Sequence, residues 1–231
     1  MTDIYTDGTY LSNNPSWDKE DSPWKAKQIL KILTKNKITP STVCEIGCGG
    51  GEILNQLSLN LNHNTKYVGY DISPQAIELA NSIKNDRIEF RNEDILEKPN
   101  EFYDVLLMMD VVEHIENYIE FLRSVKAKGE FKIFHFPLDM SALSILSSAR
   151  LLEARAQCGH IHYFTKDIIL AVLRDLGFEV IDHFYTDCSF VRPRNTLKIK
   201  ILQSMRKYSF KMNQDFAVKL FGGYSVLILA K

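Results

Sequence analysis

The stretch Thr42–Asp71, TVCEIGCGGGEILNQLSLNLNHNTKYVGYD, decides the fold. Its first residues, Thr42–Ile46, are mostly apolar around Glu45 and read as a short strand. Glycines at 47, 49, 50 and 51 then permit a sharp turn and close approach of another group to the backbone. Ile53, Leu54, Leu57 and Leu61 recur on one face of a helix. A second strand, about Lys66–Asp71, ends in a carboxylate. Strand, glycine turn, helix and acid-tipped strand form one half of a nucleotide-binding unit.

Outward from this unit, strands and helices alternate. Residues 1–23 are rich in Asp, Asn, Ser and Pro, lack periodicity and read as an irregular N-terminal arm. Tyr5, Tyr10, Trp17 and Trp24 are many aromatics for a solvated tail. The arm either packs on the domain, over its site, or frays with a few aromatic anchors. Asp21-Ser22-Pro23 opens a helix that Trp24, Ile29, Leu30 and Leu33 carry to about Asn36. Downstream, Ser73-Pro74 starts another helix, and Arg87–Arg91 is a third strand. Tyr103–Met109 (YDVLLMM) suits a central strand buried on both faces. A helix at about Glu116–Val125, a fifth strand at Gly129–Phe136, a helical stretch over 139–157, a helix at Thr165–Leu176 and a sixth strand at Phe178–Asp187 follow. Residues 194–220 read as helical and Tyr224–Ala230 as a last strand. The pattern predicts an α/β, doubly wound, mostly parallel sheet. The last strand can enter antiparallel, because a helical insertion at about 190–222 precedes it. One domain is expected over 24–231, behind the arm at 1–23.

Composition narrows the partners. The chain has 231 residues and a formal net charge of −1, so the whole molecule has no pull toward nucleic acid or an anionic surface; any such affinity must come from a local patch. Cys44, Cys48, Cys158 and Cys188 include no CxxC pair, which disfavours a disulfide framework or a zinc site and points to reduced thiols. No charged-then-apolar leader opens the sequence, and no apolar run is long enough to span a bilayer. A cytoplasmic location is the expectation.

Ligands of such sheets sit beyond the carboxyl ends of the strands. Asp71 is placed there to accept hydrogen bonds from a ribose diol. Gly47 and Gly49 fit the first two positions of a dinucleotide G-x-G-x-x-G fingerprint, but the third falls on Glu52, whose charge would repel a pyrophosphate. The lysine of a phosphate-binding loop is absent. The loop reads E-x-G-x-G-x-G from Glu45 to Gly51, and this resembles the first motif of class I S-adenosylmethionine-dependent methyltransferases. YVGYDIS (67–73), RNEDIL (91–96) and YDVLLMMDVVEHI (103–115) resemble the second, third and fourth strand motifs of that family. GHIHYFTKDIILAVLRDLGFEVID (159–182) is similar to the late part of its small-molecule branch. The likeness covers roughly residues 24–187, and its motifs fall in the right order.

The resemblance implies a seven-stranded sheet with an antiparallel last strand, and S-adenosylmethionine as cofactor. It implies that Glu45 holds the methionine amino group and that the Gly47 and Gly49 backbone lines the methionine carboxylate, with Cys48 between them. It places Asp71 on the ribose, Asp94 at the adenine amino group, and Ile72 and Ile95 against the adenosine, although both isoleucines have an equally good reading as packing residues. Met109 ends the strand that borders the transfer centre.

Methyl transfer needs an acceptor lone pair in line with the scissile bond, and a hydroxyl acceptor also needs a base. Candidates cluster after the fourth and fifth strands: Asp110, Glu113 and His114, then His135 and Asp139, with His160 and His162 before the next helix. His114 either acts there or braces the turn below the cofactor. His135 either points at the acceptor or is a satisfied core residue. His160 and His162 alternate and would share a face if extended; one of them is the favoured base. The segment D-V-V-E-H-I also resembles the E-x-x-E-H run of ubiquinone-pathway O-methyltransferases, where a divalent metal can sit. With Asp110 as the first acid and no fourth ligand in view, no metal is expected.

The insertion carries Arg192, Arg194, Lys198, Lys200, Arg206, Lys207, Lys211 and Lys219 against Asp215. It is either a solvated helix face or a reader of phosphate on the acceptor. Its amphipathic part, Leu197–Met205, reads as a homodimer face or a membrane-surface contact. The expected reaction is O-methylation of a small molecule, a sugar or surface-polysaccharide precursor. N-methylation of a small amine or amino sugar is the alternative within the class, and a non-catalytic nucleoside-cofactor-binding protein is the alternative outside it.

Overall fold

Seven strands form one sheet in the order β3-β2-β1-β4-β5-β7-β6. The structure, a computed structural model, describes residues 5, 7–17, 19–187 and 197–231. Cys188, Arg192 and Arg194 lie outside the described residues. The strands are β1 (Thr42–Ile46), β2 (Lys66–Tyr70), β3 (Ile88–Arg91), β4 (Tyr103–Met109), β5 (Gly129–Pro137), β6 (Val180–Thr186) and β7 (Ser225–Ala230). The first five run parallel, and β7 enters antiparallel between β5 and β6.

The helices are α1 (Thr9–Asn13), α2 (Ser22–Lys35), α3 (Glu52–Ser58), α4 (Pro74–Asn81), α5 (Tyr118–Lys126), α6 (Ala142–Ser147), α7 (Ala149–Cys158), α8 (Lys166–Asp175), α9 (Leu197–Met212) and α10 (Gln214–Phe221). α2, α3 and α4 cover one face of the sheet through Ile29, Leu54, Ile77 and their neighbours. α5, α8 and α10 cover the other through Leu122, Ile169 and Val218. The apolar run of β4 serves both layers. Val105, Leu107 and Met109 face one, Leu106 and Met108 the other, as the period of two in a strand requires.

Three expected elements are divided more finely. The stretch over 139–157 is two helices rather than one, because Ser148 sits in the left-handed region (φ 50°) between α6 and α7. The helical insertion is likewise split at Asn213, whose side chain accepts from the Phe216 N–H and starts α10. The arm contains the short helix α1 and a 3-10 turn at Lys19–Asp21.

Register aligns the strand ends that matter. Ile46 pairs with Tyr70 on one side and Met108 on the other, and Met109 pairs with His135. The chain leaves β1 toward β2 and returns at β4, so the sheet order reverses beside β1. A cavity opens at that switch point, as expected for such sheets.

Candidate active site

The glycine turn is stitched to β2. Gly47 and Cys48 both donate backbone N–H bonds to the Tyr70 carbonyl (2.8 and 3.1 Å), and Gly51 donates to the Cys48 carbonyl (2.9 Å). Gly49 donates to Asp71 Oδ2 at 2.9 Å. Four of the five N–H groups from 47 to 51 are therefore committed within the protein, so the Gly47 and Gly49 N–H groups are open neither to the methionine carboxylate expected beside them nor to a phosphate. Gly47 holds φ 68°, and a Cβ there would lie 2.8 Å from Val111 Cγ2.

Around this turn the structure assembles a cavity of about 1450 Å³. Glu45, Gly47, Cys48, Gly49, Asp71, Ile72, Asp94, Ile95 and Met109 all line it. Glu45 is fully buried, and its Oε2 has no hydrogen-bond partner. Burial pushes its carboxyl well above the usual range, the Lys25 charge opposes that, and Asp71 reinforces it. Asp71 is buried with Oδ1 accepting from the Ser73 N–H (2.8 Å), which fixes its carboxylate at the end of β2. Asp94 caps the 3-10 turn Ile95–Glu97 by accepting from the Leu96 N–H (2.8 Å). Ile72 is exposed at the rim, whereas Ile95 is buried in the core cluster below. Burial, with Asp71 and Glu45 close by, pushes the Cys48 thiol upward and keeps it neutral.

The arm closes one side of this cavity. Tyr5, Tyr10 and Trp17 line it, with Tyr10 tilted against both other rings. The Trp17 ring passes within van der Waals contact of where a Gly49 Cβ would stand, and its Nε1 is buried without a hydrogen-bond partner. An orphaned carboxylate oxygen at Glu45 and an orphaned N–H at Trp17 fit a ligand that offers an ammonium and an acceptor atom.

The four histidines separate. His135 is buried, with Nδ1 2.6 Å from Asp110 Oδ1 and Nε2 2.8 Å from Thr186 Oγ1. Lys25 from α2 completes the chain, 2.7 Å from Asp110 Oδ2. Burial alone would raise the Asp110 pKa, but the His135 and Lys25 charges overcome it and hold the carboxylate well below its usual range. Asp110 also sits at φ 60°, a strained position for a non-glycine residue at the end of β4. His135 thus lines the cavity with both ring nitrogens engaged inside the protein.

His114 directs Nδ1 to the Gly159 carbonyl (3.2 Å), and burial with the nearby His160 lowers its pKa to about 4. It braces the link between the β4 end and α7. His160 lines the cavity with Nδ1 2.7 Å from Asp139 Oδ2, a geometry that leaves Nε2 as the lone-pair nitrogen. His162 does not share that face, because the segment is not a regular strand. Its ring packs beside Tyr118 and Phe164, its Nε2 reaches the Glu116 carbonyl (3.1 Å), and it does not line the cavity.

Glu113 is fully buried, and both its carboxyl oxygens lack a hydrogen-bond partner. Burial first, then the charge of Asp110, pushes its pKa well up. Glu113, His114 and His160 bring one donor atom each within 4.8 Å of one another. The sequence could not supply this grouping, since His160 reaches it from the segment after α7. Lys25 and Thr186 were also missed; each arrives from an element distant in sequence and carries no local motif, whereas the arm aromatics Tyr5, Tyr10 and Trp17 line the cavity as one of the two readings of the arm expects.

Comparison with known proteins agrees with this geometry. The profile of a methyltransferase domain family matches residues 19–183. A ubiquinone biosynthesis O-methyltransferase from Rickettsia canadensis is 28% identical over 109 residues, which span 44% of this chain and 44% of that protein. The chain thus aligns with less than half the length of this relative. Among solved structures, a magnesium protoporphyrin IX methyltransferase from Synechocystis PCC 6803 superposes with a TM-score of 0.65 at 16% identity, covering 98% of this chain and 97% of that one. A putative sarcosine dimethylglycine methyltransferase from Galdieria sulphuraria gives 0.64 at 13% identity, covering 89% and 84%.

Proposed function

Because the chain belongs to the methyltransferase domain family, we propose that it transfers a methyl group from S-adenosylmethionine to a hydroxyl of a small acceptor, with His160 as general base. Bound in the cavity, S-adenosylmethionine supplies an electrophilic methyl on a sulfonium. Glu45 would hold its ammonium, Asp71 its ribose hydroxyls and Asp94 its adenine edge, all three lining the cavity.

One observation carries the choice of oxygen: the His160–Asp139 pair at 2.7 Å on the cavity wall. Asp139 fixes the tautomer and orientation of His160, so Nε2 can take the proton of an acceptor hydroxyl as the new bond forms. An amine acceptor has less need of such a pair. The cavity exceeds the ~300–1,000 Å³ of an ordinary single-ligand pocket, which leaves room for a second molecule beside the cofactor. Its lining includes aromatic surface at Tyr5 together with Asp139, Arg150 and Gln157. That mixture suits a hydroxyl-rich ring, and a sugar or surface-polysaccharide precursor is the acceptor class we assign. The O-methyltransferase named above supports oxygen as the target.

The test is turnover of a panel of sugars, nucleotide-sugars and amines by wild type, His160→Gln and Asp139→Asn. Both variants should lose about 10²–10⁴-fold in kcat on a hydroxyl acceptor, with cofactor affinity retained. Equal turnover in all three proteins would sink the base. Chelation should leave turnover unchanged; a loss restored by a divalent ion would instead assign Glu113, His114 and His160 to a metal.

A further inference from the structure

The helix α9 has two working sides. Leu202, Gln203 and Arg206 line the cavity. On its opposite side Ile201, Met205, Tyr208 and Met212 recur at helical spacing and stand open to solvent, from 50% exposed at Met205 to 74% at Met212. Phe216 on the adjoining α10 is also open to solvent, 58% exposed. An apolar stripe of this kind on a soluble chain marks a contact surface.

Charge says what meets it. Lys207 and Lys211, one turn apart, are exposed along the flank of the stripe. Over residues 197–221 the sequence holds six Lys or Arg against the single acid Asp215; Asp215 is engaged by Lys166 and Tyr185, Lys219 pairs with Asp167 and Arg206 donates to the Phe221 carbonyl, which leaves Lys207 and Lys211, among the described side chains, to set the charge of the flank. A second copy of the chain, docked by a two-fold axis, would set this cationic flank against itself. An anionic lipid surface would neutralise it and accept the apolar stripe, the pattern of a helix that lies in the membrane interface. The pull is local, because the net charge of the whole chain is −1.

We infer that α9 is a peripheral docking element for an anionic bilayer. The helix would rest on the surface by Ile201, Met205, Tyr208 and Met212, with Lys207 and Lys211 among the headgroups and the active-site cavity on its other side. The enzyme would then meet its acceptor at the lipid surface, as it would an acceptor carried on a lipid. The inference concerns a surface outside the cavity and stands or falls separately from the assignment of the base.

Vesicle co-sedimentation of the full chain tests it, using phosphatidylcholine alone and phosphatidylcholine mixed with phosphatidylglycerol. Wild type should partition to the mixed vesicles at least about tenfold more strongly, and salt should weaken that binding. Met205→Glu/Met212→Glu and, separately, Lys207→Glu/Lys211→Glu should each lose about tenfold or more in partitioning. S-adenosylmethionine binding by titration, unchanged in both, shows that the variants are folded. Failure of wild type to bind the mixed vesicles at low salt would overturn the proposal. So would variants that partition as wild type does, or light scattering that shows a dimer which the apolar variant dissociates.

Discussion

Glu45 is a buried carboxyl whose Oε2 has no hydrogen-bond partner, at the point where the cofactor's ammonium is assigned. Burial favours its protonated form, and an arriving ammonium would favour the ionised one. Cofactor binding near neutral pH should therefore release up to about one proton. Titration calorimetry in buffers of different ionisation enthalpy reads this directly, and Glu45→Gln should abolish the release. Glu113 gives a second prediction, on stability. Its folded pKa lies above the ordinary 4.5, so the stability linked to it is fully present below that value and is lost as pH rises. His114 works oppositely. With its pKa lowered from 6.5 to about 4, its contribution is present above 6.5 and lost as pH falls toward 4. Glu113→Gln should remove this loss, so that stability falls less steeply with rising pH than in wild type, read from denaturation at a series of pH values. A variant with the same alkaline slope as wild type would contradict the assignment.

At the scale of elements, the β1–α3 turn depends on what lies beneath it. Gly51 holds φ 76°, and a Cβ there would stand 2.4 Å from the Phe90 ring of β3. Gly51→Ala should cost about 2–5 kcal/mol, from the left-handed backbone and from overpacking together. Adding Phe90→Leu should recover the packing part and leave the backbone part, and thermal unfolding of the single and double variants separates the two. The same scale shows why so much was legible in the sequence. β1 and β4 were read to the residue, because an apolar run between turn residues sets both ends. Glu45, the glycines and Asp71 lie on one continuous strand–turn–helix–strand unit, so their proximity follows from that unit alone. The histidines were legible only as a set. Spacing could not say that His135 would be closed between Asp110 and Thr186, or that His162 would turn away to Tyr118. Those outcomes depend on β6 and on the irregular path after α7, where no periodicity fixes which way a side chain points.

Taken whole, the molecule brings remote segments to one cavity. Lys25 reaches Asp110 from α2, Trp17 meets the glycine turn from the arm, and His160 meets Asp139 after α7. Among the described residues, no helix is long and apolar enough to cross a membrane. The family and the sheet order place the chain among the methyltransferases, and Glu52 at the third glycine position disfavours a pyrophosphate there. Isothermal titration of the full chain with S-adenosylmethionine and with NAD tests that claim most directly. One equivalent of S-adenosylmethionine should bind, Asp71→Ala should weaken it about 10–100-fold, and NAD should give no heat of binding. Binding of NAD without S-adenosylmethionine would contradict the account.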